Sequence, residues 1–96
     1  MKKIVNLISR HISIFKLFTK VYIFGSSINN NKIPNDIDLL LIYEIYSKGI
    51  LKEKNNIYLF LEKLSKLHID ITILSEKELE ETNFIEKLNF KYVRLK

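Results

Sequence analysis

A short apolar run that ends in Gly-Ser, followed by two aspartates at the start of a second apolar run, constrains the fold of this chain most strongly. The first run covers residues 21–24, and Gly25 and Ser26 follow it directly. Nine residues then separate Ser26 from Asp36, which with Asp38 opens the second run. Because glycine permits a sharp turn and short apolar runs are typical of buried strands, the pattern predicts two strands with carboxylates at the start of the second.

The rest of the hydrophobic pattern predicts an α+β fold, a small mixed β-sheet with helices packed on it, in the order α-β-β-α-β-α with an optional last strand. The predicted elements are a helix over 4–20, strands over 21–24 and 37–43, a helix over about 50–67, a strand over 69–74, a helix over about 76–89, and an edge strand or tail over 90–95. The side chains expected on the buried stripe of the second helix are Ile50, Ile57, Phe60, Leu61, Leu64 and Leu67. The third helix is expected to begin after Ser75, because Glu78 completes a capping-box pattern with it.

Length and composition predict one small globular domain over residues 1–96. The hydrophobic fraction is 47% and cysteine is absent, which excludes a disulfide framework and a thiolate metal site and suits a cytoplasmic protein. No secretory signal or membrane-spanning run is evident, so no membrane role is expected. The net charge of +5 is compatible with attraction to nucleotides, nucleic acid or an acidic partner. Scattered lysines in a chain rich in Lys, Asn and Ile are the favoured explanation of this charge, so nucleic acid is not indicated beyond mild basicity.

Three aspartates form the candidate site. Asp36 and Asp38 are two residues apart on a predicted strand and therefore project from the same face, and Asp70 lies within the third predicted strand. If that strand pairs with the second, all three carboxylates meet. Adjacent carboxylates repel one another unless cations lie between them, and oxygen-only ligands suit Mg²⁺ or Mn²⁺. Such a set can hold two ions about 4 Å apart for in-line phosphoryl displacement.

Each part of this site has a plainer interpretation. Gly25 and Ser26 could form an ordinary turn, Asp36 and Asp38 could lie on a solvated strand edge or cap a turn, and Asp70 could cap the second helix. Together, however, a glycine turn after one strand and carboxylates on two others favour a single phosphate- and metal-binding site. In it, Gly25 allows close approach, and Ser26 and Ser27 offer donors to the triphosphate.

These residues resemble the DNA polymerase β-type nucleotidyltransferase superfamily, and most closely its minimal, single-domain members (MNT proteins). The family pattern is an apolar strand, Gly-Ser, about nine to thirteen residues, Asp-x-Asp, and a third Asp on a later strand, which Gly25, Ser26, Asp36, Asp38 and Asp70 match. The resemblance covers nearly the whole chain. It implies a mixed sheet with helices packed on it and a metal-dependent nucleotidyltransferase that binds ATP or another NTP and uses Mg²⁺ or Mn²⁺.

By this resemblance Asp36, Asp38 and Asp70 are the catalytic and metal-binding residues. Asp36 and Asp38 are expected to hold both metals, and Asp70 to hold the catalytic metal and help activate the acceptor hydroxyl. Gly25, Ser26 and Ser27 are the expected nucleotide-binding residues. The minimal family also implies a toxin–antitoxin role in which AMP from ATP is transferred to a HEPN-like partner protein. A partner or a second copy of the chain is expected to complete the open nucleotide cleft.

Two other functions remain open. Many minimal members carry an Arg-Ala-Arg-Gly-like segment after Gly-Ser, where this chain has residues 27–32 with Lys32 as the one cation. A lysine offers a point charge rather than a bidentate fork, which favours a catalytically weak or inactive binding module that neutralises a partner by occlusion. An antibiotic-modifying transferase is a third possibility, although such enzymes usually carry a further domain.

The two histidines have modest predicted roles. His11 is expected to pack on the apolar face of the first helix. His68 follows the second helix, where a cation at the C-terminus is favourable, and it lies two residues before Asp70, which leaves a role near the metal open.

Overall fold

The computed structural model describes residues 2–25, 36–89 and 91–96, with the backbone alone at residue 2. The elements in chain order are α1 (Lys2–Ser9), a 3₁₀ helix (Ile12–Phe15), β1 (Lys20–Phe24), β2 (Asp36–Tyr43), α2 (Lys48–Ser65), β3 (His68–Ser75), α3 (Glu76–Thr82), α4 (Phe84–Lys87) and β4 (Tyr92–Arg94). This order confirms the predicted α+β fold, and the optional last strand is present.

The four strands within the described ranges form one mixed sheet in the order β3-β2-β1-β4. β2 is antiparallel to β1 and parallel to β3, and β4 pairs antiparallel with the other side of β1. Because parallel neighbours cannot be joined by a tight turn, α2 supplies the crossover from β2 to β3. The interior position of β2 agrees with its apolar side chains on both faces.

One face of the sheet is covered by α1, the 3₁₀ helix and α2. Alternate side chains of β2 point into this layer, and Ile37 and Leu39 are completely buried in it. The buried side chains of the layer are Ile8, Phe15, Phe18, Val21, Ile23, Ile37, Leu39, Leu41, Ile50, Ile57, Leu61 and Ile69. Together they form the main core and fix which side chains of β2 must face the other way.

The opposite face is divided between an apolar part and an acidic part. The apolar cluster consists of Tyr22, Leu40 and Ile42, with Phe24, Leu74, Leu79, Phe84, Ile85 and Tyr92 packed around them. α3 and α4 supply three of these side chains and so cover this part of the sheet. Asp36 and Asp38 lie on the same face at the start of β2. The sheet therefore buries apolar groups at one end of this face and presents carboxylates at the other.

The prediction of a single helix over 4–20 is wrong. α1 ends at Ser9, and the next turns are tighter, with backbone bonds from His11 to Ile8, from Ile14 to His11 and from Phe18 to Phe15. These i to i+3 bonds are those of a 3₁₀ helix. The β-branched residues of this segment favour an α-helix only weakly. Packing therefore decides the conformation, and Phe15 and Phe18 become fully buried. His11 accordingly lies in the turn and not on the helix.

The other two helices also differ from prediction in detail. α2 ends at Ser65 because Lys66 adopts a left-handed conformation with φ 64°. Phe60, predicted to be buried, is 39% exposed because it lies at the margin of the stripe that faces the sheet; its ring contacts that of His11 at 5.1 Å. The predicted third helix is two helices, since Asn83 at φ 52° separates α3 from α4. Asparagine tolerates this conformation better than most residues.

The predicted capping box at the start of α3 is confirmed. The Ser75 side chain accepts a hydrogen bond from the backbone N–H of Glu78, and the Glu78 carboxylate accepts one from the N–H of Ser75.

In the described ranges, no helix combines the length and apolar character that a membrane span requires.

Candidate metal centre and active site

The pairing of β2 with β3 brings the three predicted carboxylates together. Asp38 lies opposite Asp70 in the parallel register, and Asp36 lies opposite His68. Since all these positions are separated by two residues along their strands, their side chains emerge on the same face. One oxygen atom each from Asp36, Asp38 and Asp70 lies within 4.8 Å of the other two. The predicted convergence of the three carboxylates is therefore present.

This oxygen set fits a divalent cation. Mg²⁺ binds oxygen at about 2.0–2.1 Å in octahedral geometry, so two ligands of one ion lie about 2.9 Å apart when adjacent and about 4.2 Å apart when opposite. Oxygens within 4.8 Å of one another are close to these separations. Three carboxylates with no nitrogen or sulfur donor suit the hard cations Mg²⁺ and Mn²⁺.

The pKa of Asp38 reflects both its burial and the like charges beside it. Burial raises the pKa of the Asp38 carboxyl above its ordinary value of 3.8, and the neighbouring carboxylates of Asp36 and Asp70 raise this pKa further. His68 acts in the opposite direction and is the weakest influence. A cation placed among the three carboxylates would relieve the repulsion that raises this pKa.

Gly25 lies against this cluster. β1 pairs with β2 so that Phe24 is opposite Asp38, and the chain leaves the strand at Gly25 with φ 78°. A Cβ atom at position 25 would overlap the Asp38 carboxylate, with the Cγ atom 3.3 Å away. The glycine is thus favoured both by its left-handed backbone and by the space that Asp38 occupies.

His68 completes the outer side of the cluster. Its Nε2 lies 3.0 Å from Oδ1 of Asp70, and its ring meets that of Tyr58 edge to face at 6.1 Å. Tyr58 in turn donates a hydrogen bond of 2.8 Å to the Glu62 carboxylate on α2. A row of contacts therefore runs from α2 across the sheet edge to one carboxylate of the cluster.

A cleft of about 450 Å³ adjoins the cluster between α2 and β3. Its lining residues are Leu51, Lys54, Asn55, Tyr58, His68, Ile69, Asp70 and Ile71. Since β3 is an edge strand of the sheet, the acidic cluster is approachable from this side.

The structure places four of the six predicted site residues. Asp36, Asp38, Asp70 and Gly25 are brought together, and Ser26 and Ser27 lie outside the described residues, as does Lys32. The sequence signal for His68 was its spacing of two from Asp70 on a strand, which puts both on one face. Tyr58 could not be found from the sequence, because its contact depends on how α2 lies over β3.

Comparison with known proteins agrees with this geometry. A family model described as a nucleotidyltransferase domain matches residues 3–94. No curated protein matches the sequence significantly. Among solved structures, the fold is similar to that of a protein from Sulfolobus solfataricus provisionally described as a nucleotidyltransferase. The TM-score is 0.52 at 16% sequence identity, covering 96% of this chain and 78% of that one. At this identity the likeness shows the fold alone.

Proposed function

The chain belongs to the nucleotidyltransferase domain family of transferase enzymes, and on this premise we propose that it transfers AMP from ATP to an acceptor hydroxyl. The observation that carries the proposal is the convergence of Asp36, Asp38 and Asp70 within 4.8 Å on one face of the sheet. Nucleoside monophosphate transfer is the general chemistry of the family. The choice of ATP, the acceptor and the residue roles are the proposal.

In the proposed reaction, the two strands supply aspartates with different tasks. Asp36 and Asp38, both half-buried on β2, form the rigid side of the metal site. Asp70, on the edge strand and 54% exposed, forms the side that the acceptor reaches, where it binds metal and helps to activate the attacking hydroxyl. Divalent cations, when bound, would offset the negative charge that develops on the attacking and leaving oxygens. Mg²⁺ is the proposed ion, with Mn²⁺ as a substitute.

The glycine turn is proposed to hold the triphosphate. Gly25 ends β1 beside Asp38, so a phosphate placed there lies next to the metal ligands. Ser26 and Ser27 are the proposed donors to the phosphates, since hydroxyl and backbone N–H groups in a turn form an anion-binding concavity.

The proposed acceptor is a hydroxyl on a partner protein, with this chain acting as the cytoplasmic antitoxin of a toxin–antitoxin pair. The resemblance to minimal nucleotidyltransferases supports a HEPN-like partner. The position of Asp70 on an edge strand, with its side chain 54% exposed, supports a large acceptor that approaches from that edge. We propose that residues 1–96 act as one domain and that the partner, or a second copy, completes the cleft.

A binding module that neutralises its partner by occlusion is the alternative. The absence of arginine from residues 27–32 favours it. The close approach of three carboxylates opposes it, because such an arrangement costs stability without a cation to offset the repulsion.

Isothermal titration of nucleotides tests the proposal. Wild-type protein is titrated with ATP, GTP, CTP and UTP in Mg²⁺, in Mn²⁺ and in EDTA, and Asp38→Asn is compared with Glu44→Gln. Glu44 is an exposed carboxylate beyond the other end of β2, so its loss changes net charge without touching the cluster. Metal-dependent binding that favours ATP, is lost in Asp38→Asn and persists in Glu44→Gln would support the proposal. Equal affinity in EDTA and Mg²⁺ would contradict it.

A further inference from the structure

His68 holds one carboxylate of the acidic cluster through a hydrogen bond that has little structural purpose. Within the described ranges the bond from His68 Nε2 to Oδ1 is the one hydrogen bond that the Asp70 side chain makes. Both side chains are more than half exposed, at 58% and 54%. Exposed pairs of this kind contribute little to stability, so the bond is better explained by what it does to Asp70.

The bond limits the orientation of the carboxylate. Asp70 stands opposite Asp38 in the strand register, and the two negative charges repel each other. Without a restraint, Asp70 on its exposed edge strand would turn toward solvent. The hydrogen bond from His68 Nε2 to Oδ1 holds the Asp70 carboxylate in place and leaves its second oxygen available to a cation. In metal sites, outer groups that orient a ligand in this way contribute strongly to affinity.

His68 is itself held by α2. Its ring lies edge to face against Tyr58 at 6.1 Å, an arrangement that aromatic rings favour. Tyr58 is fixed through its hydroxyl, which donates to Glu62 four residues later on the same helix. The orientation of Asp70 is thus tied to α2, which is anchored in the core by Ile57 and Leu61, although the carboxylate itself is exposed.

We propose that His68 is a positioning residue that donates a hydrogen bond to Asp70 and so sets the affinity of the acidic cluster for its divalent cation. This inference rests on the proposed metal site, and it assigns to that site a residue outside the Gly-Ser and aspartate pattern.

Mn²⁺ binding, followed by electron paramagnetic resonance and by titration calorimetry, tests the proposal without any nucleotide or acceptor. All measurements are made at one pH and ionic strength. The variants are His68→Ala, His68→Gln and Tyr58→Phe, with Asp38→Asn as the variant that removes a metal ligand. Glutamine can place an amide N–H where Nε2 lies in histidine, and phenylalanine keeps the ring beneath His68.

The expected result is a loss of Mn²⁺ affinity of about 10- to 100-fold in His68→Ala, with most of it restored in His68→Gln. Tyr58→Phe loses the hydrogen bond to Glu62 but keeps a ring beside His68, so it should lose less Mn²⁺ affinity than His68→Ala. The thermal unfolding midpoint of metal-free His68→Ala should equal that of wild type. If His68 had a merely structural role, weaker Mn²⁺ binding would be accompanied by a lower midpoint.

Three results would overturn the inference. Wild-type or tighter Mn²⁺ binding by His68→Ala would show that His68 does not support the site. Binding by His68→Gln as weak as that by His68→Ala would exclude the hydrogen bond as the cause. Failure of the metal site itself has a separate signature, because Asp38→Asn would then bind Mn²⁺ as wild type does.

Discussion

Gly25 lies so close to the carboxylate of Asp38 that a side chain at position 25 would have to share its space. The sequence predicted this glycine as a place where phosphates approach the backbone. The structure adds that the same space borders a predicted metal ligand. The turn and the acidic cluster are therefore coupled, and a substitution in one is expected to disturb the other.

Gly25→Ala is expected to destabilise the protein and to weaken Mn²⁺ binding together. The left-handed conformation at φ 78° costs an alanine about 1–2 kcal/mol, and the new methyl group displaces the Asp38 carboxylate from its neighbours. Urea unfolding measures the first effect and Mn²⁺ titration the second.

Gly49→Ala is the matched control for this substitution. A Cβ at Gly49 would make ordinary contacts, the nearest being 3.5 Å from Ser47 Oγ, and the residue lies in the first turn of α2. It should leave Mn²⁺ affinity unchanged and raise the free energy of unfolding by about 0.4–1 kcal/mol. Equal Mn²⁺ affinity in Gly25→Ala and Gly49→Ala would show that the turn and the metal site are independent.

Asp38→Asn is expected to be more stable than wild type in EDTA near neutral pH. The folded-state pKa of Asp38 is raised above 3.8 by burial and by Asp36 and Asp70. The free energy of unfolding therefore falls as the pH rises from 3.8 through this raised pKa, and it stays lower above it. Asparagine does not titrate, so the free energy of unfolding of Asp38→Asn does not fall in this way. Urea unfolding at about pH 7 and about pH 3 should show a difference that disappears at the lower pH, where the carboxyl is protonated in both states.

Addition of Mg²⁺ or Mn²⁺ is expected to reverse that order. An ion that binds the folded state alone stabilises it by about 2.7 kcal/mol at a concentration one hundred times its Kd. Wild type should therefore gain thermal stability with metal, and Asp38→Asn should gain little. Glu44→Gln should follow wild type in both conditions. A wild-type unfolding midpoint that does not respond to millimolar metal would argue against a cation among the three carboxylates.

Glu76 provides an acid-sensitive contact far from the metal site. Hydrogen bonds from Thr19 at 2.6 Å and from Lys20 at 3.0 Å hold the pKa of Glu76 below its ordinary value of 4.5. The stabilisation is present above pH 4.5 and is lost as the pH falls through the lowered pKa. Glu76→Gln should therefore cost roughly 0.2–1 kcal/mol at neutral pH, and less in acid.

Glu81→Gln is the control for Glu76→Gln, because Glu81 lies on the same helix and is 61% exposed, with Lys77 at 3.8 Å. Its loss should change the free energy of unfolding very little at either pH. If both substitutions changed the pH dependence of the free energy of unfolding equally, the contact between β1 and α3 would have no special role. Neither should alter Mn²⁺ affinity.

The acidic cluster was predictable because it depends on strand periodicity. Alternation along β2 puts Asp36 and Asp38 on one face whatever the rest of the fold does. The meeting with Asp70 required one further assumption, that β3 pairs with β2, which the connecting helix made reasonable. The register of Asp38 opposite Asp70 had no signal in the sequence, since it depends on how far α2 carries the chain back along the sheet.

The failures of prediction lie where packing overrides local pattern. Apolar residues at helical spacing continued past Ser9, but burial of Phe15 and Phe18 required a tighter turn. Phe60 had the spacing of a buried residue, yet α2 turns it to the margin of the core. The row from Tyr58 through His68 to Asp70 joins a helix to a strand edge, and only three-dimensional coordinates can show such contacts.

The last prediction separates an enzyme from an occlusion module. Wild type and Asp38→Asn are each mixed with a HEPN-like partner protein, α-labelled ATP and Mg²⁺, and both label transfer and inhibition of the partner are followed. Asparagine keeps the size of the side chain but removes a charge that the metal site needs, so transfer of labelled AMP should fall by orders of magnitude. Binding to the partner should persist, because the contact surface is unchanged. Wild type is expected to label and inhibit the partner, Glu44→Gln to do the same, and Asp38→Asn to do neither at low concentration. Equal inhibition by wild type and Asp38→Asn, with no label transferred by either, would favour occlusion over catalysis.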